Sequence, residues 1–291
     1  MAFFVYRPPI LCGWLGCLGL LLAACAGGRG EDPQEFQMLF DKGRAYLERG
    51  NPRMALPALQ QANRLRPGNA ELLTRLGLAY DQSGLPLQAM ESLEEAQRLR
   101  PEDVQVNNNL GVARLRVHAA SCGDLQEKSC QRLLDQAEEA LQTAIRVASA
   151  SSTAPAVPLE GLWFNLALLY KQRGQEAPMV AALESSLAVS SHHLPARLEL
   201  ADHYRSQART DLERQQLRSA LAAFPDHVVL LERLVDSFLG GRSPPAAGSV
   251  ATLAPGERTE VRALLSRILA LAPGTEAAHR ASQRILLLDN R

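Results

Sequence analysis

Between residues 36 and 103, apolar side chains recur every three to four positions and the positions between them are polar or charged. That is the spacing of amphipathic helices. Leu39, Gly43 and Tyr46 stand at i, i+4 and i+7, and Ala55, Leu59 and Ala62 repeat the interval on a second helix. The arrangement is then written again 34 residues later. Gly43, Tyr46, Gly50, Ala55, Leu59, Ala62, Leu65 and Pro67 return as Gly77, Tyr80, Gly84, Ala89, Leu93, Ala96, Leu99 and Pro101. An ungapped period of this length predicts a solenoid of stacked helix pairs.

Each residue type has a reason within the unit. A glycine inside a helix costs about 1 kcal/mol against alanine, which is tolerable where its missing side chain lets another helix approach. Gly50 and Gly84 end the first helix of each pair, and Pro52 and Pro86 suit the first position of the second. Pro67 and Pro101 close the units. Pro57 falls within a second helix and is expected to kink or loosen it. One pair cannot bury its own apolar face, so neighbours must stack.

Leu76-Gly77, Tyr80, Ala89, Leu93, Ala96 and Pro101 resemble the tetratricopeptide repeat. The resemblance implies an all-α right-handed superhelix of about six helix pairs with a C-terminal capping helix. The third unit keeps Leu110-Gly111, has Arg114 in place of the tyrosine, and brings Ala137, Leu141 and Ala144 about 14 residues late. An insertion at 117–131 accounts for the delay. Residues 149–159 read as a linker. Trp163, Leu166, Ala167 and Tyr170 open a fourth unit, and Leu200, Ala201, Tyr204, Leu217 and Ala220 mark a fifth, with Ala208 where a glycine is expected. Leu231, Leu234, Val235 and Phe238 begin a sixth, interrupted by a loop at 242–256, and Ala278, Ala281 and Ile285 mark the cap. The solenoid is thus expected over 36–291.

Residues 1–24 read as an export signal, with Arg7 before an apolar core too short and glycine-rich to span a membrane. Leu22-Ala23-Ala24-Cys25 resembles a bacterial lipobox, which implies lipidation of Cys25, a tether over 25–35 and, with Ala26 next, the outer membrane of a Gram-negative bacterium, facing the periplasm. Without residues 1–24 the chain carries 30 basic and 31 acidic side chains, which argues against a nucleic-acid partner. Beyond the signal and Cys25 only Cys122 and Cys130 remain, and in an exported chain they are expected to clip the insertion as a disulfide. A metal site using His118 is the lesser reading, since metal-binding cysteines usually come as closer pairs.

Catalytic signatures such as GxSxG, HExxH, CxxC and a phosphate-binding glycine loop are missing, so a non-enzyme without a cofactor is expected. His192-His193 reads as a solvated turn. In tetratricopeptide proteins the first helices line a concave groove, and the resemblance carries that groove onto Phe40, Arg44, Thr74, Leu78, Asn108, Val112, Phe164, Leu168, Leu198 and Asp202, with Asn109 and Asn165 beside them. Amides beside apolar side chains suit an extended peptide or a partner helix. Phe40 and Arg44 stand where a carboxylate clamp would want asparagine and lysine. The architecture is similar to that of pilotins, lipoproteins that help a type IV pilus secretin assemble, which implies a secretin subunit as partner. A general envelope adaptor, recruiting cell-wall hydrolases or serving another pilus or polysaccharide complex, is the alternative. Thiol exchange at Cys122 and Cys130 is a remote one, lacking an activating context.

Overall fold

The structure, a computed structural model, describes residues 33–122, 127–151, 157–240 and 253–289. The expected signal, Cys25 and most of the tether lie outside the described residues. Among the described residues there are thirteen helices and no strand. They pair along the chain as α1 (Pro33–Glu48) with α2 (Pro52–Leu65), α3 (Ala70–Gln82) with α4 (Pro86–Leu99), and α5 (Val104–Ser121) with α6 (Glu127–Ala150). The next pairs are α7 (Leu159–Gln172) with α8 (Glu176–Val189), α9 (Leu194–Ser206) with α10 (Thr210–Ala223), and α11 (Val228–Leu239) with α12 (Pro255–Leu271). α13 (Glu276–Asp289) covers the last pair.

The 34-residue period is a packing period. Ala55, Leu59 and Ala62, their repeats Ala89, Leu93 and Ala96, and the displaced set Ala137, Leu141 and Ala144 are all fully buried. Each leucine fills the space beside the glycine of its own pair. A Cβ on Gly43, Gly77 or Gly111 would lie 2.5, 2.5 or 2.6 Å from Leu59, Leu93 or Leu141. Gly50, Gly84 and Gly174 turn the chain with φ of 70°, 80° and 69°. Ala208 takes the same turn at φ 56°, a conformation that strains any residue with a Cβ.

Three expectations change. α2 runs unbroken across Pro57, which is exposed and sits in the second turn, so one backbone bond is lost on a solvated face while Ala55, Leu59 and Ala62 hold the other. The insertion at 117–131 is largely helix: α5 continues to Ser121 and α6 starts at Glu127, with 123–126 outside the described residues. The reason is that the buried stripe persists, with Val117 on α5 and Cys130 and Leu134 leading into Ala137 on α6. The Cys122 and Cys130 sulfurs are bonded, with their Cα atoms 5.6 Å apart, so the bridge ties the tips of two lengthened helices. Lastly, His193 is not a solvated turn residue, as its contacts below show. Residues 152–156 of the linker and 241–252 of the second insertion lie outside the described residues. The cap is built as expected, with Ala278 and Ala281 buried, Ile285 packed on the last core cluster, and Arg284 donating to Asp236 at 2.6 Å.

Candidate partner-binding groove

Successive first helices touch one another, α1 to α3, α3 to α5 and α5 to α7, so their outward sides form one surface across the units. Leu78, Val112, Phe164, Leu168 and Leu198 are each half-buried there, leaving apolar surface open to solvent. Phe40 is only 7% exposed and stacks on Phe36 with ring centroids 6.0 Å apart, so most of it is packing. Thr74 is buried and its hydroxyl donates to the Ala70 carbonyl at 2.7 Å. Arg44 is exposed and paired with Asp41 at 2.9 Å and Glu48 at 3.8 Å. Asp202 is held by Arg205 at 2.9 Å and by Arg233 of the next unit.

The amides converge where the third and fourth units meet. Asn165 Nδ2 donates to Asn108 Oδ1 at 2.8 Å, and Asn108 Nδ2 donates to Asn109 Oδ1 at 3.2 Å. Asn108 is largely buried, and Asn109 Nδ2 is buried with no hydrogen-bond partner. Asn107, by contrast, is fully used: it donates to the Pro101 and Asp103 carbonyls at 2.7 and 2.9 Å and accepts from Gln97 at 2.7 Å. The triplet Asn107-Asn108-Asn109 therefore divides into one residue that ties the turn and two that border the groove.

Side chains that the sequence did not assign to the groove hold the floor rigid. Arg114, in the tyrosine position, donates to the Gln136 carbonyl at 3.0 Å and to Glu94 at 3.1 Å, spanning the second and third units. Tyr170 donates to Glu138 at 2.9 Å, and Arg173 grips Glu138 and, at 2.6 Å, Asp135. Burial and the Glu138 carboxylate push the Tyr170 hydroxyl above its usual range. His193 stands edge-on to Phe164 with centroids 5.4 Å apart, and its Nδ1 lies 2.9 Å from Ser186 Oγ. Because that hydroxyl gives its one hydrogen to the Glu160 carbonyl at 2.8 Å, Nδ1 is the donor to it. Burial holds the His193 imidazole below its ordinary pKa.

An open cleft of about 290 Å³ lies between the fourth and fifth units, with Met179 at its base and Glu176, Glu199, Asp202 and His203 on its walls. Lys171 bridges it by pairing with Glu199 at 2.6 Å. Of these residues only Asp202 is among the groove positions that the repeat resemblance implies. Among the described residues no group of His, Cys, Asp and Glu has the arrangement of a metal site. No described helix is long and apolar enough to cross a membrane.

Residues 40–104 match the family model described as tetratricopeptide repeat. With six helix pairs and a capping helix among the described residues, that decides the architecture. The fold is an all-α tetratricopeptide-repeat solenoid. No curated protein matches by sequence. Among solved structures, a thermophilic tetratricopeptide-repeat protein from Thermus thermophilus is 22% identical with a TM-score of 0.56, over 70% of this chain and 99% of that one. PilF from Pseudomonas aeruginosa is 18% identical with a TM-score of 0.56, and PilW, described as a widely conserved type IV pilus biogenesis factor, is 16% identical with a TM-score of 0.59. Each of these two is covered over its whole length by 88% of this chain. At these identities the likeness is one of fold.

Proposed function

We propose that this tetratricopeptide-repeat scaffold is held at the outer membrane by lipid on Cys25 and captures an extended protein segment along the face of its first helices. The reading is carried by the groove itself: half-buried Leu78, Val112, Phe164, Leu168 and Leu198 form an apolar row bordered by the Asn108–Asn165 amide pair. The amides hold each other in place and keep acceptor and donor capacity for a peptide backbone. An apolar floor with fixed polar edges favours a segment whose alternate side chains are apolar. The occupant is a subunit of an envelope machine, a type IV pilus secretin by preference. The lipobox-like Leu22-Ala23-Ala24-Cys25 and the end-to-end fold likeness to PilF and PilW support that preference.

The test combines binding and assembly. Co-purification of the tagged chain from membranes, compared with its Phe164→Ala variant, should show partner capture weakened by about 1–3 kcal/mol. Secretin multimers should fall in a strain lacking the protein. Unchanged capture by a folded Phe164→Ala chain would place the interaction outside this face. Normal multimers in the deletion strain, with capture intact, would leave the scaffold and remove the secretin.

A further inference from the structure

The ends of the second helices carry a second repeated pattern that the groove does not use. Arg64-Leu65-Arg66 closes α2 and Arg98-Leu99-Arg100 closes α4, so two arginine pairs stack along one edge of the solenoid, the edge where each unit passes to the next. Arg64 and Arg98 are exposed and have no acidic partner among the described residues. Arg100 is exposed and only loosely paired with Asp103, at 3.9 Å. Arg75 lines the same small cavity as Arg100, with Glu71 and Asp103 on its other walls, and has no ion pair among the described residues. Between the arginines Leu99 is 48% exposed, and Val189 and Phe224 close the later units at 46% and 38%. Exposed apolar side chains among unpaired cations are what an anionic lipid surface takes up, the former in the headgroup region and the latter on the phosphates. Carboxylates are present too, with Glu35, Glu71, Glu102 and Asp103 on this edge; Glu102 is taken up by Arg146 at 3.3 Å and Glu35 accepts from Gln61 at 3.4 Å.

The chain enters the solenoid at this same edge. α1 starts at Pro33 beside the end of α2, where Gln61 donates to Glu35 at 3.4 Å and the Arg66 guanidinium lies 4.7 Å from the Phe36 ring centroid. Cys25 is eight residues upstream of Pro33, a reach of at most about 28 Å. A lipid on Cys25 would therefore attach the protein at the arginine edge, with the glycine-turn edge a further helix length, about 24 Å, along α1. A lipid on one residue fixes distance but not orientation, and a basic surface beside it supplies the second contact that sets the orientation.

We infer that the unit-junction edge bearing Arg64, Arg66, Arg98 and Arg100 docks on anionic phospholipid headgroups, setting the solenoid edge-on to the membrane with its groove open to the side. This rests on the lipid anchor proposed above, and the two can fail separately. The experiment reconstitutes the full-length exported chain in phosphatidylethanolamine–phosphatidylglycerol vesicles containing a headgroup nitroxide. A fluorophore is placed either at Glu102→Cys on the arginine edge or at Gln82→Cys at the other end of the same unit, about 20 Å away along α4. Quenching is expected at position 102 and not at 82. Arg64→Gln with Arg98→Gln should relieve it, while the protein still floats with the vesicles and still incorporates palmitate. In the unlipidated Cys25→Ser chain the same pair of changes should reduce binding to these vesicles on the order of tenfold. A lipidated, floating chain quenched equally at both positions, or at neither, overturns the edge and leaves the anchor. An exported chain with Cys25 intact that proves to carry no lipid yet binds anionic vesicles through Arg64 and Arg98 overturns the anchor and leaves the edge. Such a chain that ignores the vesicles overturns both.

Discussion

Gly77→Ala tests whether the glycines of the repeat are there for close approach or merely as helix-tolerant residues. In an open helix the change is favourable by about 1 kcal/mol, because alanine restricts the unfolded chain and suits the helix. At position 77 a Cβ would lie 2.5 Å from Leu93 Cγ and 3.0 and 3.1 Å from its two methyl carbons. Leu93 is fully buried against Ala89, Leu110 and Ala113 and cannot swing aside. Forcing a carbon into such a site costs about 1–3 kcal/mol, which offsets and exceeds the helix gain. The net expectation is a loss of up to about 2 kcal/mol, or about 2–4 °C in Tm per kcal/mol for a chain of this size. Gly161→Ala in α7 is the control, since nothing lies within 4 Å of a Cβ there, and it should raise stability by up to about 1 kcal/mol. Urea and thermal unfolding followed by circular dichroism read both. Combining Gly77→Ala with Leu93→Ala should cost less than the two changes summed, because truncating the leucine removes the clash. A Gly77→Ala protein as stable as wild type, or as improved as Gly161→Ala, would refute the close-approach reasoning.

The other expectations rest on single features. Ala208→Gly should stabilise by about 0.5–1 kcal/mol, because relief of the φ 56° strain exceeds the added chain entropy, and a lowered urea midpoint would show the turn to be unstrained. Replacing Cys122 and Cys130 with serine should remove at most about 2–3 kcal/mol and speed amide exchange mainly at the end of α5 and the start of α6. Global unfolding on reduction would contradict that. His193 has its folded-state pKa below the usual value, so its contribution is present above pH about 6.5 and is lost as pH falls through that lower value. Wild type should therefore lose stability more steeply than His193→Asn as pH falls below about 6.5. Parallel curves would remove the histidine from the account.

How much was legible differs from residue to residue. The helix pairs, their glycine turns and the buried Ala-Leu-Ala stripes follow from a period of 34, since a repeated spacing of apolar side chains has one efficient way to be buried. The cap and the late second helices followed from the same logic. Sequence spacing could also pair Cys122 with Cys130, because so few cysteines were left to choose from. It could not show that the insertion lengthens α5 and α6, because a break in register looks alike whether the extra residues coil or continue a helix. Nor could it divide the groove positions, since register places Phe40, Thr74 and Leu78 alike on one side of their helices. Only packing separates Phe40, stacked on Phe36, from the half-open Leu78. The Asn108–Asn165 pair joins residues 57 positions apart, and the Glu138 grip on Tyr170 and Arg173 spans 32 and 35. A local pattern carries no information on contacts of that separation. They exist because stacked units bring matching faces together, and the tertiary structure decides which polar side chains then meet.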